Sequence, residues 1–266
     1  MDSTTFFAGK KFTLHEIQEV QDALTVEEIL NISVNDKPYT MTMRTPGDEE
    51  ALTRGILLSE QVYDHQEEHP VFSIVEKNDK NLITKVNVQI PFHQLKEGIN
   101  TQRNLIAVSS CGMCGKNEME LAMEGDLIKP KHPLSIRLIG QMFQTMSLHQ
   151  HTFKDSGGSH AAAAFTIDGK LLSVKEDIGR HNAVDKVIGS LLINQTLNEA
   201  QCLLVSGRVS YEIVSKCFRA RIPFLAAVSA PSSMAIEYCI KTGITLIAFC
   251  RQDKCTVYTH PENVVS

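Results

Sequence analysis

The second half of the chain constrains the fold most. Ala161 to Ile167 and Leu171 to Glu176 flank Asp168-Gly169. A tight turn with positive φ favours Asp-Gly, so this stretch predicts a β-hairpin. The pattern then alternates. Asn182 to Ile193 reads as a helix with Ala183, Val184, Val187, Ile188 and Leu191 inside, and Cys202 to Val205 as a short buried strand. A helix to about Ala220, a strand over Phe224 to Val228, a helix to Lys241, a strand over Ile244 to Cys250 and a last short strand over Thr256 to Thr259 follow. Strands joined through helices by short links imply a mostly parallel sheet with helices on its faces, an α/β class.

The first part reads as a smaller α+β unit. Residues up to about 23 are polar and are expected to be loosely held. Val26 to Asn35 and Tyr39 to Met43 form a hairpin pattern around Asn35-Asp36-Lys37-Pro38. Thr45 to Glu50 marks a helix start with acids in its first turn, and Ala51, Leu52, Gly55, Ile56 and Ser59 form its inner face. A second hairpin spans Val71 to Lys77 and Leu82 to Ile90, where Val86, Val88 and Ile90 alternate, so one side of that strand is expected to be wet. The charged, Pro-containing break from Gly125 to Pro133 is the expected boundary between a unit over 1–130 and one over 131–266, and a helix follows from about Leu134.

Before that break lies Ser109-Ser110-Cys111-Gly112-Met113-Cys114-Gly115, between an apolar run at Leu105 to Val108 and a helical pattern at Asn117 to Met123. A thiol near a helix N-terminus meets unpaired N–H groups and the positive dipole end, which favour the thiolate. A CxxC pair is read as a redox dithiol, half of a zinc site, a sulfur-carrying site, or two cysteines that only pack. The seven cysteines are scattered, and the first ten residues carry no secretory pattern, so reduced thiols and a cytoplasmic location are expected. The net charge of −5 argues against a general affinity for nucleic acid or an anionic membrane, and no run has the length of a membrane span.

In such a sheet, ligands bind beyond the C-terminal strand ends. Ser206-Gly207-Arg208, Ser229 to Ser233 and Phe249 to Lys254 lie there. The first two are expected to open helices, whose N–H groups, with Arg208, Arg251 and Lys254, would cradle phosphate. Helix capping alone also explains small polar residues in such links. No Walker or GxGxxG pattern occurs. Glu176 to Asn182 packs five polar side chains into seven residues. A helix start explains Asp177 and Asn182 but not Arg180 beside His181. Gly157-Gly158-Ser159-His160 precedes an alanine run that permits close backbone approach, and His160 is either a core histidine or part of a site.

Together these stretches resemble the formate dehydrogenase accessory sulfurtransferases, the FdhD family. The resemblance rests on Cys111-Gly-Met-Cys114-Gly115, Gly158-Ser-His160, Glu176-Asp177-Ile-Gly179-Arg180-His181 with Asp185-Lys186, Ser206-Gly207-Arg208 with Tyr211-Glu212, Val228 to Pro231, and Phe249-Cys250-Arg251 through Pro261. It implies a cytidine-deaminase-like α/β domain, a homodimer, and transfer of sulfur from a cysteine desulfurase to the molybdenum bis(pterin guanine dinucleotide) cofactor needed by formate dehydrogenase. It also implies that Cys111 carries the persulfide with Cys114 as its partner, and that Phe249, Cys250, Arg251, Gln252, Asp253 and Lys254 meet the cofactor or GDP-like fragments of it. Two rival classes are a sulfur-independent cofactor chaperone and a zinc deaminase. Deaminases of this fold place a catalytic Glu two residues after the metal-binding His, whereas Ala162 stands two after His160.

Overall fold

A computed structural model describes residues 3–64, 69–96, 127–251 and 254–266. The CxxC segment, its flanking strand and helix patterns, and Gln252 and Asp253 lie outside the described residues.

The larger sheet has six strands in the order β13-β12-β11-β10-β8-β9. They are β8 (His160–Phe165), β9 (Leu171–Asp177), β10 (Cys202–Val205), β11 (Phe224–Ala227), β12 (Thr245–Arg251) and β13 (Lys254–Val257). The β10–β11 and β11–β12 ladders are parallel, and the β8–β9, β8–β10 and β12–β13 ladders are antiparallel. The expected mostly parallel sheet is therefore a mixed one. The Asp168-Gly169 hairpin inserts β8 beside β10 in the reverse sense, and β9, β10, β11 and β12 still run the same way.

Strand alternation sends Ala162, Ala164, Leu203, Val205, Leu225 and Leu246 to one core and Ala161, Ala163, Leu204, Phe224 and Ile247 to another. The first core is covered by α4 (Arg180–Ile193), α5 (Tyr211–Arg219) and α6 (Ser233–Thr242). The second is covered by Leu134 of the short strand β7 (Leu134–Ser135) and by α2 (Ile136–Leu148) through Ile139, Met142 and Met146. With both faces buried, the strands read as continuous apolar runs.

The N-terminal residues form a four-stranded sheet, β4-β3-β6-β5, from β3 (Glu28–Val34), β4 (Lys37–Arg44), β5 (Val71–Lys77) and β6 (Ile83–Gln89). Helix α1 (Glu49–Ser59) packs Leu52 and Ile56 on this sheet. Its opposite side crosses α4, so Ala51 to Leu58 are all buried and no wet face remains. The crossing needs its glycines. A Cβ at Gly55 would collide with the Asp185 backbone, and one at Gly189 with the Ala51 carbonyl. The wet side expected on β6 also differs, because the Asn35–Asp36 turn folds over it. Asn87 is buried there and donates to the Asp36 carboxylate at 2.8 Å.

The segment expected to be loose forms a ribbon. β1 (Thr4–Phe12) and β2 (Ile17–Thr25) pair over nine positions without a register break. Its base is tied to the short helix α3 (His151–Ser156) by Thr152–Ser3 and Thr25–Ser156 hydroxyl contacts of 2.8 and 2.6 Å. No helix among the described residues is long and apolar enough to cross a membrane.

Candidate functional site

The antiparallel register Val205↔Ala162 and the pairing His160↔Asp177 carry His160, the Asp177–His181 turn and Ser206-Gly207-Arg208 to one edge of the sheet. A Cβ built on Gly207 would stand 3.3 Å from His160 Nδ1 and 3.4 Å from Arg180 Cβ and Cδ. Gly207 thus lets both side chains crowd the turn backbone. Burial, then the Arg180 and His181 charges, holds His160 below its ordinary value of 6.5. Arg208, which is exposed, acts in the same direction, and Asp177 opposes them. Arg180 Nε is buried with no hydrogen-bond partner among the described residues.

Several expected contacts are occupied from within. The Ala161 N–H donates to Ser206 Oγ at 2.9 Å, so this hydroxyl ties β10 to β8. Ser206-Gly207-Arg208 does not open a helix. Ser210 stands at the N-terminus of α5, and the Val209 N–H donates to the Ala230 carbonyl at 3.1 Å, prolonging the β10–β11 pairing. Ser232 does cap α6, accepting from the Ala235 N–H at 3.1 Å. His181 Nε2 contacts Glu212 Oε2 at 2.9 Å and Ser210 Oγ at 3.2 Å. This bond holds the Glu212 carboxyl below the usual carboxylate range. Gly158 faces elsewhere: a Cβ there would meet Thr25 Oγ1 of the ribbon base at 2.9 Å.

A layer behind the edge was not anticipated as a unit. Asp177 is fully buried and accepts from the Gly179 N–H at 2.8 Å, Asn182 Nδ2 at 3.1 Å, the Thr45 N–H at 3.1 Å and Lys186 Nζ at 2.8 Å. Lys186, equally buried, also donates to the Thr45 carbonyl at 2.8 Å. The turn that presents Arg180 and His181 is therefore bolted to the start of α1. The Asp177 and Lys186 signal was present, since a buried Asp and Lys nine residues apart on a strand end and helix form a pair. Thr45, over a hundred positions away, carried no such signal.

Phe249 and Arg251 on β12 lie two strands from β10, about 10 Å along the edge. Phe249 has φ 54° at a bulge, and its ring centroid lies 6.4 Å from that of Tyr258. Arg251 pairs with Lys254 in the antiparallel β12–β13 ladder, and both are exposed. Cys250 is buried on the α2 side. It lines a cavity of about 240 Å³ with Ile139, Phe143 and Cys255, and burial pushes its thiol up to about 12. The structure gathers His160, Arg180, His181, Ser206, Gly207 and Arg208. Phe249, Arg251 and Lys254 share the edge with them without contact. Among the described residues, no group of three or more His, Cys, Asp and Glu is placed to hold a metal ion.

Such an edge suits an extended anion: cations and one guanidinium donor without a partner among the described residues at one end, an aromatic pair and two further cations at the other. Comparison with known proteins agrees on the kinship. The FdhD/NarQ family model matches residues 25–265. A sulfur carrier protein FdhD of Sulfolobus acidocaldarius is 39% identical over 245 residues, 92% of each chain. One of Streptomyces coelicolor is 40% identical over 257 residues, 91% of this chain and 89% of that one. The crystal structure of a candidate formate dehydrogenase accessory protein from Desulfotalea psychrophila has a TM-score of 0.78 at 21% identity, covering 99% of this chain and 100% of that one, and so has the same fold. With a family model over nearly its full length and relatives at this identity, the chain belongs to the FdhD/NarQ family.

Proposed function

We propose that this chain is a sulfur carrier: Cys111 accepts sulfane sulfur from a cysteine desulfurase, and the carrier passes it to the molybdenum bis(pterin guanine dinucleotide) cofactor destined for formate dehydrogenase. The cofactor is cargo, docked by a guanine nucleotide end along the sheet edge. The observation that carries the docking half is the cluster of His160, Arg180, His181 and Arg208 around Gly207, with the Arg180 Nε donor unpaired among the described residues.

The thiol half is supported by elimination. Burial raises Cys202, Cys217, Cys239, Cys250 and Cys255, which makes all five poor nucleophiles at neutral pH. Of the seven cysteines, Cys111 and Cys114 remain. In loading, the Cys111 thiolate attacks the outer sulfur of the donor persulfide, a new S–S bond forms, and the donor thiolate leaves. In release, the Cys114 thiolate attacks the inner sulfur of the Cys111 persulfide. A Cys111–Cys114 disulfide forms and sulfide departs, so the two thiols supply the reducing electrons.

Mass spectrometry after incubation with a cysteine desulfurase and cysteine tests loading. One added sulfur is expected in the parent and in Cys114→Ala, and none in Cys111→Ala; the reverse pattern would exchange the roles. Calorimetry with GDP tests docking. A charge-assisted contact contributes roughly 1.5–3 kcal/mol, so Arg251→Ala is expected to weaken binding about ten-fold or more, with Cys111→Ala close to the parent. Arg251→Ala binding GDP like the parent while Cys111→Ala does not would put the nucleotide in the wrong place. Restored formate dehydrogenase activity with Cys111→Ser would favour a sulfur-independent chaperone.

A further inference from the structure

Arg180 and Arg208 are permanent cations, whereas the charge of His160 depends on its surroundings. His160 stands half-buried at the start of β8. A Cβ on Gly207 would lie 3.3 Å from its Nδ1 and 3.4 Å from Arg180 Cβ and Cδ, so the imidazole and the Arg180 stem flank one point of the turn backbone. Burial first, then the charges of Arg180, His181 and Arg208, disfavour the protonated ring, and Asp177 favours it.

The carboxylates near this ring are committed elsewhere. Asp177, paired with His160 across β8 and β9, is fully buried and meets Lys186 Nζ at 2.8 Å. Glu212 on α5 contacts His181 Nε2 at 2.9 Å. Strand alternation puts Glu176 on the opposite face of β9, where it accepts from the Thr152 and Phe153 N–H groups at 2.8 Å and from Ser159 Oγ at 2.7 Å. The charge on His160 therefore turns on whether the edge holds an anion. A neutral ring spares the cluster further repulsion before a ligand arrives. A negative charge within about 4–6 Å favours the protonated ring about ten-fold or more, and a phosphate against the Gly207 turn falls in that range. The Arg180 Nε donor, buried with no hydrogen-bond partner among the described residues, calls for an acceptor at the same place.

We propose that His160 takes up a proton from solvent as a phosphate docks at Gly207, so that binding of the cargo is coupled to pH. This coupling rests on the docking of a guanine nucleotide end proposed for this edge. An arginine at this position would attract the anion equally at every pH. An imidazole adds its charge as the phosphate arrives and gives the proton back as the phosphate leaves. Binding then tightens as pH falls through the midpoint of the ring with phosphate bound, and levels off below the midpoint of the ring without it.

Titration calorimetry of the full chain with GDP-mannose tests this. Both phosphates of the probe are esterified, so neither has the second ionisation near neutral pH that a terminal phosphate has. At about pH 6.5, the binding heat of the parent is expected to differ between buffers of low and high ionisation enthalpy in the sense of proton uptake. Its affinity is expected to be about ten-fold or more higher at about pH 5.5 than at about pH 8. His160→Asn is expected to lose most of the uptake and of the pH dependence, and His181→Gln to keep the uptake. In the parent labelled with 15N-histidine, one imidazole that titrates below 6.5 is expected to titrate above it once the probe is bound, which needs no variant. Binding without proton uptake, uptake undiminished in His160→Asn, or no imidazole moving in this way would each overturn the proposal while the docking stands. A parent that does not bind the probe at any pH would overturn both.

Discussion

Replacing Lys186 by Met probes the layer behind the cationic edge. The substitution keeps an unbranched side chain of similar length and removes the ammonium. Asp177 would keep its neutral donors, the Gly179 and Thr45 N–H groups and Asn182 Nδ2, and lose its one cation at 2.8 Å in a site with no exposure. Removing one partner of a buried pair typically destabilises by about 3–5 kcal/mol, because the remaining charge is left uncompensated. For a chain of this size that is a fall in Tm of roughly 6–20 °C. Asp177→Asn alone leaves the ammonium buried against the Thr45 carbonyl at 2.8 Å and the Glu176 carbonyl at 3.4 Å, with no anion. The double variant leaves neither charge. Its loss is therefore expected to be smaller than the sum of the single losses by about 1–3 kcal/mol. Urea unfolding of the four proteins gives these differences if the slopes agree. A Lys186→Met loss below about 1 kcal/mol, or strict additivity, would show that water or rearrangement already satisfies the pair and would refute the reasoning.

Two further outcomes follow from the edge itself. Gly207→Ala places a methyl 3.3–3.4 Å from His160 and Arg180, so both side chains must give by a few tenths of an ångström; GDP affinity by calorimetry is expected to fall several-fold, with Tm moving little. His160 is held below 6.5 in the fold, so its protonated form favours the unfolded chain. Its stabilising share is present above its ordinary value and is lost as pH falls through that value to the folded one. From about pH 7 to about pH 5 the parent is expected to lose more stability than His160→Asn, and equal losses in urea unfolding would contradict this.

What was legible in the sequence was local. The apolar runs Cys202 to Val205, Phe224 to Val228 and Ile244 to Cys250 have the length and flanks of buried strands, and strands stand there at Cys202–Val205, Phe224–Ala227 and Thr245–Arg251. The Asp168-Gly169 turn forms with φ 86° at the glycine. The placement of β8 between β9 and β10 was not legible, because pairing across 40 or so residues leaves no trace in either strand. For the same reason His160, Arg180 and Ser206-Gly207-Arg208 could each be singled out, while their meeting at Gly207 could not. The ribbon was missed for another reason. Its Phe6, Phe12 and Ile17 serve no core in this chain, and the intervening Lys10, Lys11, Glu19 and Asp22 make the stretch read as polar.

The same geometry bears on why the edge is built so stiffly. His160, Arg180, His181 and Arg208 lie close enough for the other three to depress His160, so they repel one another when charged. The nearby carboxylates do not cancel this field freely. Asp177 is committed to Lys186, and Glu212 to His181. A cluster of this kind would splay apart on a flexible loop. Here Arg180 and His181 start a helix whose first turn is locked through Asp177 to the N-terminal sheet and α1, and Gly207 fixes how near His160 and Arg180 can come. Repulsion that the scaffold cannot relieve by moving is relieved by an anion. Under the proposed docking, an incoming phosphate gains from charges already gathered and costs little to organise them, so local groups offset the net acidity of the chain.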